Sequence, residues 1–224
     1  MISFEVKSKL ASFKRPDVTT CVKTYPFITR TATEGLIGAI LGLKLPLPES
    51  LIGIEILNPV RVTRFGLNFL GPRFLHDGSG DNLRRPTNVE VLVEPRYRIY
   101  YVGPLEEKLF EKIHASKRIY ATYLGNSYFP TMPCNVKIEK VERVDADEVS
   151  IDSVVPVNII RDITGSALTL RNTGTMFLRH KTQDEYEGKV SFIYNMIPAP
   201  VNYKIDPKKA LLYQTNENKI IALT

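Results

Sequence analysis

Within its first 145 residues the chain switches its hydrophobic spacing from a period of two to a helical period and back, twice over, and few folds accept that order. Residues 2–7, ISFEVK, set Ile2, Phe4 and Val6 against Ser3, Glu5 and Lys7, the alternation of a half-buried strand. Leu36, Ala39, Ile40 and Leu43 then recur at i, i+3, i+4 and i+7, which predicts a helix over about 32–43. Thr31 and Glu34 stand three apart at its start, the spacing of a capping box that satisfies two free amides. LIGIEIL (51–57) returns to alternation and reads as a second strand that continues through Val60 and Val62 toward Arg64.

NVEVLVEPRYRIYYV (88–102) reads as a strand pair, or one long strand bent at Pro95. GPLEEKLFEKIHAS (103–116) is a second helix with Leu105, Leu109, Phe110 and Ile113 as its apolar set. Residues 117–130 read as a strand running into a turn at Gly125 and Asn126, and NVKIEKVERV (135–144) as a last strand with a bulge. The order β, α, β, β, α, β is that of a split βαβ, ferredoxin-like or RRM-like domain, so the expected class is α+β. After DADE (145–148) the texture changes to short β-rich pieces without a convincing helix. One domain over 1–145 and a smaller β-rich part over 149–224 are therefore expected.

Between the second and third strands lies a different texture. FGLNFLGPRFLHDGSGDNLRRPTN (65–88) carries Gly66, Gly71, Gly78, Gly80, Pro72 and Pro86, which break any regular period, and structureless insertions of this length inside a compact domain are uncommon and tend to be functional or disordered. Arg61, Arg64, Arg73, Arg84 and Arg85 lie along it or at its base, against Asp77 and Asp81, so it reads as a basic arm.

The formal charge is +6, and the excess is uneven: residues 1–144 hold 21 Lys and Arg against 14 Asp and Glu, whereas 145–224 hold 9 against 10. A surplus so placed fits a polyanion such as RNA or DNA. Aromatic rings beside cations supply the other half of a nucleic-acid surface, and Tyr25 near Lys23 and Arg30 is one such site. Two cysteines, Cys21 and Cys134, form no metal or redox spacing, and the three histidines do not cluster. No nucleotide-loop, zinc-protease or hydrolase motif is present, and GAILGLK fails the Walker spacing. No cofactor or metal is expected. No signal peptide or bilayer-length apolar run is visible, so a cytoplasmic protein without membrane contact is expected.

Gly35, Gly38 and Gly42 share one face of the first helix, and each costs about 1 kcal/mol relative to Ala. Such a face permits close approach of another backbone. The partner is either the sheet or a sugar-phosphate backbone, with the helix N-terminus at Arg30 and Thr31 facing a phosphate.

ASFKRPD (11–17), TYPFITRTATEGLIGAILGL (24–43) and YLGNSYFP (123–130), taken in order after an opening strand, resemble the CRISPR-associated protein 5 family of the RAMP superfamily. The resemblance covers about residues 1–145. It implies a subunit of a type I guide-RNA surveillance complex, Cascade, that caps the 5′ handle of the crRNA beside backbone and large subunits and meets target DNA indirectly. It also implies a projecting β-hairpin thumb where the basic arm lies. Carried onto this chain, the RNA-binding positions are Lys14, Arg15, Lys23, Tyr25, Arg30, Thr31 and Gly35, with Arg64, Arg73, Arg84 and Arg85 from the arm. Asn126 stands where the family more often has Arg. One branch of the family cleaves precursor RNA without metal, using Tyr, Lys and His. The Leu-Ile-Gly-Ala-Ile block resembles the non-cleaving, I-B-like branch, and the alternative, an endoribonuclease acting on repeat RNA, would draw on His114, Lys112 and Tyr25.

Overall fold

The computed structural model describes residues 1–18, 21–70, 84–164 and 168–224. The first part of the chain runs β1 (Ile2–Lys7), β2 (Leu10–Ala11), α1 (Arg30–Leu41), β3 (Leu51–Ile56), β4 (Val62–Leu70), β5 (Arg84–Val93), β6 (Arg96–Val102), α2 (Glu106–His114), β7 (Cys134–Ile138) and β8 (Val141–Arg143). The rest contains β9 (Glu148–Ile151), β10 (Val155–Pro156), β11 (Ile160–Thr164), β12 (Leu170–His180), β13 (Tyr186–Asn195), β14 (Val201–Ile205), β15 (Leu212–Thr215) and β16 (Ile220–Ala222). The molecule is α+β, with mostly antiparallel sheets and two α-helices among the described residues.

A four-stranded sheet in the order β3-β6-β1-β7 forms the centre, and every neighbouring pair in it is antiparallel. Period-two alternation gives this sheet two faces of opposite character. On one face Phe4, Val6, Ile54 and Ile99 bury against Ile37 and Ile40 of α1 and Leu109 of α2. Ile37 and Ile40 are fully enclosed, and truncating either to Ala removes about 2–5 kcal/mol of packing. Met176, Phe192 and Tyr194 of the C-terminal strands enter the same cluster. A second cluster, including Val149, Ile151, Val155 and Leu212, lies wholly within the C-terminal half.

The opposite face of the sheet is charged but closed. Glu5 accepts hydrogen bonds from Arg96 at 2.7 Å and Arg98 at 3.0 Å. Arg98 also reaches Glu217 at 3.0 Å, and Glu217 in turn binds Lys137. Tyr100 donates to Glu55 at 2.8 Å, and Lys219 pairs with the same carboxylate. Glu217 and Lys219 lie in the turn between β15 and β16, so the network fixes that hairpin over the sheet. Gly53 makes room for it: a Cβ there would stand 2.6 Å from Ile221 and 2.7 Å from Leu223. Thr224 and Ile52 exchange two backbone hydrogen bonds, closing the β3 edge.

Several sequence expectations change. The predicted second strand ends at Ile56, and Val62 begins β4 instead. The basic arm is not irregular throughout: β4 and β5 form a long antiparallel hairpin paired from Val62↔Leu92 to Leu70↔Arg84, while residues 71–83 lie outside the described ones. The break at Pro95 is real and separates β5 from β6, which join different sheets. Residues 117–130 hold no strand beyond one isolated bridge, because their amides serve α1: Ile119 and Tyr120 donate to the carbonyls of Ile40 and Ala39 at the helix end. The expected last strand splits, with β7 in the central sheet and β8 paired to β15.

Burial alone would raise the Glu5 carboxyl, but hydrogen bonds from Arg96 and Arg98 outweigh it and hold the group below its ordinary 4.5. A lowered folded-state value means the stabilisation is complete above about pH 4.5 and is lost as pH falls through the folded-state value. Thermal melts between pH 7 and 3 are expected to show a decline below pH 4.5 that Glu5→Gln makes shallower; an unchanged slope in the variant would remove Glu5 from this role.

Candidate nucleic-acid interface

The three glycines of α1 have three different reasons. Gly42 caps the helix in the left-handed region at φ 73°, with its N–H donating to Gly38 O. Leu43 N donates to that same carbonyl at 2.9 Å, and a Cβ on Gly38 would stand 3.0 Å from Leu43 O. Of the three, Gly35 alone faces open space, with no atom other than the helix's own backbone within 4 Å of the position a Cβ would take.

That open face is one wall of a cleft of about 670 Å³. Thr31, Ala32, Leu36 and Ala39 continue the α1 wall, and Lys14 and Tyr25 come from the segments that follow β2. The loop after α2 adds Tyr120 and Tyr123, both exposed. The remaining wall is the end of the β12–β13 hairpin, through Phe177, His180 and Tyr186. Cations at the rim and rings along the walls suit phosphate and base together.

The helix starts two residues earlier than its spacing suggests. Thr29 is the N-cap, accepting from Ala32 N at 3.1 Å, and Thr31 lies inside the first turn. Glu34 does not reach back to cap: one carboxylate oxygen meets Arg30 Nε at 3.4 Å and the other accepts from His180 N at 3.0 Å. The same contacts turn Arg30 inward. Its Nη2 donates to Ser50 O at 2.8 Å, it is 6% exposed, and it lines a separate small cavity rather than the cleft. Burial lowers its guanidinium from the usual value, against the opposing pull of Glu34.

Lys14 is exposed at the rim. Arg15 is bound by Asp17 at 2.6 Å and lies 5.5 Å over the Tyr25 ring; the Asp17 hydrogen bond holds its guanidinium above the usual value. Lys23 is half-buried, and its carbonyl accepts from Arg15 N at 2.9 Å. Tyr25 is buried; its hydroxyl donates to Thr175 O at 2.7 Å, and burial raises its pKa. Arg64 is paired with Glu90 on the neighbouring strand at 2.7 Å. Arg73 lies outside the described residues, and Arg84 and Arg85 are described in backbone only, opposite Leu70 and Phe69. Asn126 shapes its own turn by accepting from Tyr128 N, and it does not line the cleft.

The structure does not assemble Tyr25, Lys112 and His114. Only Tyr25 lines the cleft, and its hydroxyl is already engaged. His114 ends α2 and stacks on Phe110 at 5.6 Å. Among the described residues no group of His, Cys, Asp and Glu could hold a metal ion, and no helix is long and apolar enough to cross a membrane. Sequence reading assigns no binding role to Phe177, His180 and Tyr186, which fall in the β-rich part over 149–224. Their one signal was FLRHKTQDEYEG, two aromatics flanking a His across a polar turn.

The family model described as CRISPR-associated protein (Cas_Cas5) matches residues 1–201. The chain belongs to this family. A CRISPR protein from Archaeoglobus fulgidus has a similar fold, with a TM-score of 0.58 at 16% identity, over 99% of each chain. A chain of a CRISPR RNA-guided surveillance complex superposes with a TM-score of 0.55 at 15% identity, covering 88% of this chain and 91% of that one. No curated protein matches this Cas5-family chain at a significant level.

Gly35→Ala is expected to stabilise the protein by about 0.5–1 kcal/mol, since a methyl there meets nothing and Ala favours the helix. Gly42→Ala is expected to destabilise it by about 1–2 kcal/mol, because the cap needs positive φ. Denaturant unfolding of both variants checks this, and equal signs would contradict it.

Proposed function

We propose that this Cas5-family protein is a non-catalytic RNA-binding subunit of a type I surveillance complex that caps the 5′ handle of the crRNA in the α1 cleft. The observation that carries the reading is the unfilled helix face at Gly35, placed between Lys14 and a set of rings. A glycine in a helix interior costs stability, and here no protein neighbour requires it. A ligand backbone does, because the absent side chain lets sugar and phosphate approach the first turn of α1, whose leading amides have no carbonyl in a preceding turn. Family membership supports the CRISPR role.

The strand order β3-β6-β1-β7 with two helices on one face supports a ferredoxin-like, RRM-like reading of the central unit over residues 1–145. On this reading the β4–β5 hairpin is the thumb, inserted between the second and third strands of that unit, with Arg64, Arg73, Arg84 and Arg85 as its cations. The β-rich part over 149–224 contributes the hairpin wall of the cleft. Lys14 is the first phosphate contact, Arg15 and Lys23 keep Tyr25 in place, and Arg30 acts from inside by holding the α1 entry. Backbone and large subunits of the complex are the protein partners, in the cytoplasm, and target DNA is met through the guide.

Binding of a repeat-derived guide RNA to the full chain is expected to weaken with salt, and Lys14→Ala to flatten the log K against log salt slope by about 0.7. Gly35→Ala is expected to weaken RNA while stabilising the fold. Repeat RNA incubated with the protein in EDTA should stay intact. Failure of the protein, alone and within the assembled complex, to distinguish RNA with the handle from RNA without it would sink the proposal, and a discrete cleavage product would replace it with an endoribonuclease.

A further inference from the structure

We propose that the β12–β13 hairpin carries a stacking site for one unpaired nucleobase of single-stranded RNA, with the Tyr186 ring as its platform. The site rests on the reading that the cleft holds RNA, and it specifies what part of that RNA the C-terminal wall takes. Tyr186 stacks on Phe177 with centroids 4.7 Å apart and planes at 12°, and His180 leans on it at 4.8 Å and 46°. Despite two ring neighbours Tyr186 remains 44% exposed and opens on the cleft. The other tight pairs made by Phe27, with Phe192 and Tyr194, sit inside the core.

An exposed ring held in place has already lost the rotamer freedom that binding would otherwise remove. The anchoring is visible. His180 Nε2 lies 3.3 Å from Thr31 O, and His180 N donates to Glu34 at 3.0 Å, so the hairpin end is tied to the first turn of α1. With Nε2 facing a carbonyl, His180 Nδ1 is left as a buried acceptor without a partner. Such an atom costs free energy. Tyr120 and Tyr123, on the opposite wall, are exposed at 61% and 46% but have no stacked ring behind them among the described residues. A duplex is not accepted, because its base faces are already covered by their neighbours; an unpaired base offers a free one.

The test compares full-chain protein with Tyr186→Phe and Tyr186→Leu variants, using repeat-derived guide RNAs that each lack the base at one position. One abasic position is expected to weaken the native protein about 5- to 150-fold, the range for one aromatic–base stack. Tyr186→Leu should lose the same factor on intact RNA and become indifferent to that one position, while Tyr186→Phe keeps both behaviours. Uniform weakening of every RNA by Tyr186→Leu would overturn the stacking site, as would no sensitivity to any abasic position. Lys14-dependent binding surviving in those cases leaves the RNA reading intact; no RNA binding at all removes both.

Discussion

Glu5 sits on β1, one of the two inner strands of the central sheet, and binds two arginines of the adjacent strand, and from that charge cluster outward one whole face of the sheet is committed. The carboxylate is 4% exposed, so removing both cations would strand a buried charge at a cost of several kcal/mol, while removing one leaves it held by the other. Arg98 carries the pairing on to Glu217, and Glu217 to Lys137, which brings the C-terminal hairpin down onto the sheet. Gly53 and the Thr224–Ile52 hydrogen bonds complete that closure. The face left bare in many open sheets is here filled by the protein's own C-terminus.

With that face used, the open concave surface lies on the helical side. The chain builds it from four distant segments: the stretch after β2, α1, the loop after α2 and the β12–β13 hairpin. Each is fixed by backbone bonds rather than by ring contacts alone. Tyr25 N donates to Phe13 O, Ile119 and Tyr120 finish the α1 carbonyls, and the His180 amide meets Glu34. These bonds hold the walls around the open Gly35 face. The helix loses stability at Gly35, and no neighbouring element of the fold requires the glycine there.

What was legible in the sequence were the features carried by local spacing. The alternation in ISFEVK and LIGIEI and the apolar face of α1 follow directly from residue order, and they place the central unit. The helix start was misplaced because Thr29 and Thr31 are both capping residues, and Glu34, engaged by Arg30 one turn back and by the distant His180 amide, does not reach back to complete a capping box at Thr31. Regular strands in the arm were hidden because Gly66 and Pro86 lie within them, at pairings that an exposed hairpin tolerates. Arg30 read as a phosphate ligand since nothing local reveals that Ser50, twenty residues on, takes its guanidinium. The hairpin wall was invisible for the same reason: its partner, the first turn of α1, is 149 positions away along the chain for the His180 and Thr31 pair.

The proposed function requires RNA to lie along the open face of α1 and not on the sheet. Photocrosslinking of a guide RNA with thiouridine in its 5′ handle to the full chain, read by mass spectrometry, tests it directly. Adducts are expected at Lys14, Tyr120, Tyr123 and Tyr186. Adducts confined to Lys137, Lys219 and the neighbouring β6 residues would place the RNA on the closed face and contradict it.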